Sequence, residues 1–340
     1  MKKNNNMHFI FTLNGYFNYG NRLQLFALTK VLAELGIKCA AFKKTSLKKK
    51  IKEFLMFMTP ARFSHKKEVK LRRFTNKYIN EQTNYRHCKY AIVGSDQVWN
   101  PHWPSNKLFL TEVPAGCVKV SYAASVGVEE LSEEHKKMFR EGLQNFRAIS
   151  VREQSAKELL QPLTDEQIEV VLDPTLLLDA SEYEKLAKRP KSLDVNDKYI
   201  LCYILGDKKQ RDVIQRFAEK KGFKVILFSD KEGSDYGIEE FLYLIRHAEM
   251  ICTDSFHACV FSFIFERPFV VFRRSGNADN MYSRIQYFVD LFGLNEHEYN
   301  GKSITAKNMS VNYEKAKRIL RREQEKSLKF LESALEIEDE

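Results

Sequence analysis

Four short stretches of this sequence gather side chains that can move protons or hold anions. In Thr253-Asp254-Ser255-Phe256-His257-Ala258 an apolar run passes into an apolar helical pattern with Asp254 or Ser255 as its cap, so His257 falls in the first turn. An imidazole there is a candidate acid, against the bland reading of a structural histidine satisfied by its neighbours. Because a helix N-terminus disfavours imidazolium, a bound phosphate dianion close by would be needed to keep it protonated. In Gly94-Ser95-Asp96-Gln97-Val98-Trp99-Asn100-Pro101 a carboxylate, two amides, a hydroxyl and an indole share eight residues, the composition of a sugar site. Asp96 can take a hydroxyl proton as general base, Ser95 and Asn100 can bond hydroxyls, and Trp99 can offer a flat face. The alternative makes Asp96 a turn or cap residue and Trp99 part of a core.

In Ser150-Val151-Arg152-Glu153 an arginine emerges at a strand end, where a guanidinium suits a carboxylate or phosphate, or simply pairs with Glu153. The stretch Asn14-Gly15-Tyr16-Phe17-Asn18-Tyr19-Gly20-Asn21 leads into a helical pattern over 22–35 ended by Gly36. Its glycines and asparagines, Asn14, Gly20 and Asn21 among them, let backbone approach a polar ligand and offer N–H groups to an anion; a turn that requires glycine explains them as well. Arg273 and Arg274 follow the last apolar run and Arg284 comes soon after, adding cations whose natural partner is phosphate. A glycine-rich P-loop, Gly-x-Gly-x-x-Gly, His-Glu-x-x-His and Asp-x-Asp are all missing, which removes support for ATP, NAD and metal-dependent sugar transfer.

These stretches must be held by something, and short apolar runs alternating with helical patterns indicate βαβ units and mainly parallel sheets. Strands are expected at 8–13, 38–42, 90–93, 118–123, 148–151 and 169–172, then at 199–205, 224–228, 250–253 and 268–272. Helices at 208–221, 238–248 and 255–265 complete the second set. The fold expected is α/β, two Rossmann-like domains with mainly parallel sheets facing a cleft and an even number of strands in each. The domains are 1–176 and 177–312, the boundary set where Asp173-Pro174 halts a strand, with 313–340 as a closing amphipathic helix. Ligands bind beyond the carboxyl ends of such strands, where all four stretches lie.

The net charge of +10 resides in one place, since 43–73 carries twelve Lys/Arg against two Glu. Phe54, Leu55, Met56, Phe57 and Met58 are interleaved with those cations, a composition suited to anionic lipid headgroups; a solvated insertion packed on its own lobe is the alternative. No nucleic-acid motif surrounds the stretch, and nucleic acid is not an expected partner. The six cysteines lack paired two-residue spacing and read as reduced core thiols of a cytoplasmic protein. No signal peptide or transmembrane helix is expected, so any membrane contact would be peripheral, on the inner face.

Taken together the stretches resemble the polysaccharide pyruvyl transferase family. The resemblance rests on NYGNRLQ at 18–24, GSDQVWNP at 94–101, YAASVG at 122–127, SVRE at 150–153, VLDPTLLL at 171–178 and TDSFHACVFSFIFERPFVVF at 253–272, in order over about 8–290. It implies a GT-B-like fold with 1–176 on the acceptor side and 177–312 on the donor side, phosphoenolpyruvate as donor substrate, no metal or other cofactor, and as acceptor a sugar of a bacterial surface glycan, often lipid-linked. It further implies donor binding and catalysis at Arg152 and His257, with Ser255 and a basic residue after the final strand beside them. Other members read Arg-Leu-His where this chain has Ser255-Phe256-His257, and a lysine near Asn277; Arg273 or Arg274 would substitute, with Arg284 a further donor-binding cation. The mechanism implied has His257 protonate the enol methylene, arginines hold carboxylate and phosphate, and Asp96 receive a hydroxyl proton. Rival readings are a GT-B glycosyltransferase using a nucleotide sugar and a non-catalytic membrane-associated glycan-binding protein.

Overall fold

A computed structural model of the chain describes residues 7–16, 18–44, 66–85, 88–103, 109–110, 112–113, 116–194, 196–206, 209–228, 236–274 and 282–337. Seven strands form the first sheet: β1 Met7–Phe11, β2 Cys39–Phe42, β3 Glu81–Gln82, β4 Cys88–Asp96, β5 Val118–Ala124, β6 Phe146–Val151 and β7 Ile168–Val170, in the order β3-β2-β1-β4-β5-β6-β7. Every pairing in it is parallel. The second sheet, also parallel, has β8 Tyr199–Tyr203, β9 Lys224–Leu227, β10 Met250–Thr253 and β11 Phe269–Val271 in the order β11-β10-β8-β9. The expected architecture of two facing Rossmann-like sheets with a C-terminal helix is therefore the one found. The first sheet has seven strands instead of an even number, because β3 is two polar residues with no strand pattern of their own.

Both sheets are covered on two faces, and strand alternation sorts the side chains. Ile10, Tyr90 and Ile92 join Leu201, Tyr203 and Ile251 in one core running between the lobes, while Phe9, Phe11, Ala91 and Val93 fill an outer core behind the first sheet. Ile200 and Cys202 fill a third behind the second sheet. The helix Tyr19–Glu34 lies in the middle layer and is buried on nearly all sides, its polar Asn21, Arg22 and Gln24 included. Asn18 caps it by accepting the Asn21 N–H at 3.1 Å, and Gly36 ends it in the left-handed region at φ 75°. Tyr19, at its start, stacks on Phe241 of the other lobe with centroids 5.0 Å apart and packs on Phe228 at 4.9 Å.

The first sheet ends at Val170 and the second begins at Tyr199, so the connection spans 171–198. The helix Glu314–Leu335 returns from the second lobe to the first. Its Ser327 hydroxyl accepts the Leu172 N–H at 3.0 Å, and Gln324 donates to the Leu176 carbonyl at 2.7 Å. Of the basic stretch, 45–65 lies outside the described residues. The rest, from Lys66 on, belongs to the helix Lys66–Tyr78, which docks on the lobe: Lys67 covers the Tyr19 ring, Arg72 the Tyr16 ring, and Lys70 pairs with Glu240 across the lobes. The six cysteines are free, four buried and Cys88 and Cys117 half-buried. No helix of the described residues is long and apolar enough to cross a membrane.

Candidate active site

In each sheet the strand order reverses at one point, between β1 and β4 in the first and between β8 and β10 in the second. At those reversals the connections leave toward opposite faces and open a crevice at the carboxyl ends of the strands. The two crevices face each other. Leu13, Asn14, Asp96 and Gln97 from the first and Leu205, Ser255, Phe256 and His257 from the second line one cavity of about 580 Å³.

The second-lobe wall is built on Asp254. Its carboxylate accepts the N–H groups of Leu205 at 2.8 Å and Gly206 at 2.7 Å, and binds Arg274 Nε at 3.1 Å, which locks the β8 and β10 loops together. Ser255 is the N-cap of the helix Phe256–Ile264 but makes no side-chain cap bond, so its hydroxyl and the helix's first N–H groups are left for something else. His257, 8 % exposed, stands two residues after Ser255 and reaches into the first lobe. There it lies against Gly20: a Cβ at that position would stand 2.0 Å from its Nδ1. Arg284, from the helix Ser283–Phe292, completes the wall. Among the described residues it has no hydrogen-bond or ion-pair partner, and burial, then repulsion from Arg152, push its pKa down to about 10.

The first-lobe wall carries Asp96 and the amides of Asn14, Asn21 and Gln97, together with Lys44, which is ion-paired to Glu112 at 3.8 Å. Asp96 sits at φ 74°, a left-handed backbone uncommon outside glycine and the Asx residues, and its Oδ1 accepts the following N–H at 2.8 Å. Its Oδ2 accepts Asn21 Nδ2 at 3.1 Å, while Asn21 Oδ1 is itself held by Arg22 at 2.7 and 3.0 Å. Asn14 donates to the Phe42 carbonyl at 2.9 Å, leaving its own Oδ1 buried and unbonded.

Arg152 lies behind this cavity, not in its wall. It is 3 % exposed, and Phe256 covers its guanidinium at 4.6 Å. It borders a separate space of about 20 Å³, room for one water, shared with Glu153 and Arg284. Its Nη1 binds Asp173 Oδ2 at 2.8 Å, whereas Nε and Nη2 are buried without hydrogen bonds. Asp173, part of the VLDPTLLL stretch but read from the sequence as a strand stop and given no chemical role, lies 3.6 Å from His257 Nε2 through the same oxygen. Burial alone would raise its pKa, yet His257, Arg152 and Thr175 outweigh burial and hold the carboxyl well below the usual range.

The remaining expected site residues are placed elsewhere. Trp99 is fully buried, edge-on to Phe139 and Phe146, with Nε1 donating to the Phe109 carbonyl at 3.1 Å, so it has no face to give a sugar. Asn100 closes a turn by accepting the His102 N–H at 3.0 Å. Ser95 is sealed in, its hydroxyl on Asp173 at 3.3 Å. Gly20 makes room for His257 instead of for a ligand. Arg273 points away to Glu298 and Gln286, and Asn277 lies outside the described residues. Among the described residues no group of three His, Cys, Asp or Glu could hold a metal ion.

Two parallel sheets whose crevices meet across a cavity, with His257, Arg274 and Arg284 on the second-lobe wall and Asp96 among amides on the first, make a two-lobed α/β protein with a polar site between its lobes. The family model for polysaccharide pyruvyl transferase matches residues 18–276, and the chain belongs to that family. Among solved structures, the chain is similar to the UDP-GlcNAc 2-epimerase from Methanocaldococcus jannaschii, with 14 % identity, TM-score 0.45, and 93 % of this chain and 98 % of that one covered. It is also similar to a glycosyltransferase from Rickettsia africae ESF-5, with 11 % identity, TM-score 0.47, and 97 % and 99 % covered. No curated protein matches the chain.

Proposed function

We propose that this protein is a phosphoenolpyruvate-dependent ketal pyruvyltransferase acting on a sugar diol of a bacterial surface polysaccharide or its lipid-linked precursor. The observation that carries the reading is the division of the cavity. Arg284, without a hydrogen-bond or ion-pair partner among the described residues, stands near the open N-terminus of the helix Phe256–Ile264 and the Ser255 hydroxyl, a setting for a small dianion or carboxylate. Asp96, Asn14 and Asn21 opposite suit hydroxyl groups. Arg274 lines the same wall through its bond to Asp254, and Arg152 backs it through Asp173.

In this reading His257 protonates the methylene carbon of the donor, and the central carbon becomes electrophilic. One acceptor hydroxyl adds there and loses its proton to Asp96. The second hydroxyl then forms the other ketal C–O bond as the C–O bond to phosphate breaks; its proton leaves on the phosphate, whose remaining negative charge Arg284 holds. Phosphoenolpyruvate is a substrate, and no metal or other cofactor is invoked. Lys43, Lys67, Lys70 and Arg72 are engaged within the protein, so a peripheral place on the inner face of a membrane, near a lipid-linked acceptor, rests on the basic and apolar composition of 45–65; co-sedimentation with anionic liposomes tests that part.

The decisive experiment incubates the protein with phosphoenolpyruvate and a 4,6-diol glycoside, measuring inorganic phosphate and the ketal product together. Equimolar phosphate and ketal are expected. Phosphate without ketal, or stabilisation by a nucleoside diphosphate but not by phosphoenolpyruvate, would refute the reading.

A further inference from the structure

Asp173 lies in the connection between the sheets, where groups from both lobes meet. Its Oδ2 receives Arg152 Nη1 at 2.8 Å and the Ser95 hydroxyl at 3.3 Å, and its Oδ1 receives the Thr175 N–H at 3.0 Å and hydroxyl at 2.6 Å. A carboxylate only 1 % exposed and held at both oxygens cannot turn, so it is a fixed reference for anything that faces it. The imidazole faces it: His257 Nε2 is buried, has no hydrogen bond, and stands 3.6 Å from Asp173 Oδ2. That is an ion-pair distance, a few tenths of an ångström longer than a hydrogen bond. Neutralising Arg152 does not by itself account for Asp173, because Glu153 already offers a second carboxylate 3.6 Å from Arg152 Nε, with Oε2 otherwise unbonded.

We propose that Asp173 is the positioning residue of His257: it fixes the ring with Nε2–H turned toward the carboxylate and leaves Nδ1, on the Gly20 side, as the nitrogen that exchanges a proton with substrate. The chemistry rests on the pyruvyl-transfer reading. The Nδ1–H bond breaks as the methyl C–H bond of the former methylene forms, and Nδ1 regains a proton from solvent or product before the next turnover. Asp173 stays ionised throughout. It also supplies, from within the protein, negative charge that an imidazolium at a helix N-terminus requires.

Two measurements test this, and the first needs no turnover. In the 15N-histidine NMR spectrum of the full chain near neutral pH, with His257→Gln assigning the ring, Nε2 is expected to carry a proton in the wild type. In Asp173→Asn the share of the Nδ1–H neutral tautomer is expected to rise. A wild-type ring in that tautomer, or an unchanged variant spectrum, overturns the proposal. The second measurement is kinetic. Asp173→Asn should lower kcat on the order of a hundredfold, and the double variant with His257→Gln should be no slower than His257→Gln alone; additive losses overturn it. Thr175→Val, which removes one hydrogen bond from Asp173 and no charge, should lower kcat less in the same direction and serves if Asp173→Asn does not fold; an unchanged kcat there overturns the proposal. Absence of wild-type turnover on phosphoenolpyruvate and any diol refutes the pyruvyl-transfer reading instead, and the tautomer measured by NMR still decides whether Asp173 orients the ring.

Discussion

At the scale of single residues, the arginines after β11 separate by what already holds them. Arg273 is spent on Glu298, Gln286 and the Tyr282 ring, Arg274 is tied to Asp254, and Arg284 has no acceptor among the described residues. Arg284→Gln should therefore raise the KM for phosphoenolpyruvate roughly ten- to a hundredfold, the effect of one charge-assisted contact. Arg273→Gln should leave it unchanged within about twofold; initial rates at varied donor concentration decide both. Asp173 gives a pH prediction. Its folded pKa is depressed, so its contribution to stability is complete above the unfolded value of about 3.9 and is lost as pH falls toward the folded one. Urea midpoints measured from neutral pH down to about pH 3 should fall less steeply for Asp173→Asn than for wild type. Charged side chains at strand ends are legible in the sequence because few structural roles place them there. Asp173 is not, since Asp-Pro after a strand reads as a stop. Trp99 misleads because its motif is polar while the rings that enclose it, Phe139 and Phe146, are forty and more positions away.

At the scale of elements, the helices and strands nearest the cavity are where apolar runs predicted them, with ends displaced by a few residues. The helix after β1 begins at Tyr19 and not at 22, which moves Gly20 and Asn21 from a loop into its first turn. That shift converts a glycine expected to admit a ligand into one that admits a side chain from the other lobe. Gly20→Ala would drive a methyl group into the His257 ring. Overpacking of this kind costs about 1–3 kcal/mol, and the displaced imidazole should lower kcat at least tenfold. Thermal melts and phosphate release on the same preparation check both halves; an alanine variant with wild-type turnover would mean the ring can move without consequence. Nothing in the local pattern of 14–21 distinguishes the two uses of the glycine, because the colliding atoms belong to a residue more than two hundred positions later.

At the scale of the whole molecule, the two lobes share one core instead of meeting through a polar seam. Tyr19 inserts among Tyr203, Phe228 and Phe241, and the C-terminal helix fastens the first lobe through Leu172 and Leu176. Tyr19→Ala should cost about 3–5 kcal/mol, as for other large aromatic truncations, and should lower a single calorimetric transition without splitting it in two. Two separated transitions would show that the lobes melt independently. The near contact of His257 with Gly20 has a consequence for how such proteins can diversify. A second lobe transplanted from a relative brings its own imidazole, but the dent that receives it is carved in the recipient's other half. Hybrids assembled by exchanging halves should then work only when both sides of that fit travel together, in addition to the aromatic residues the halves share.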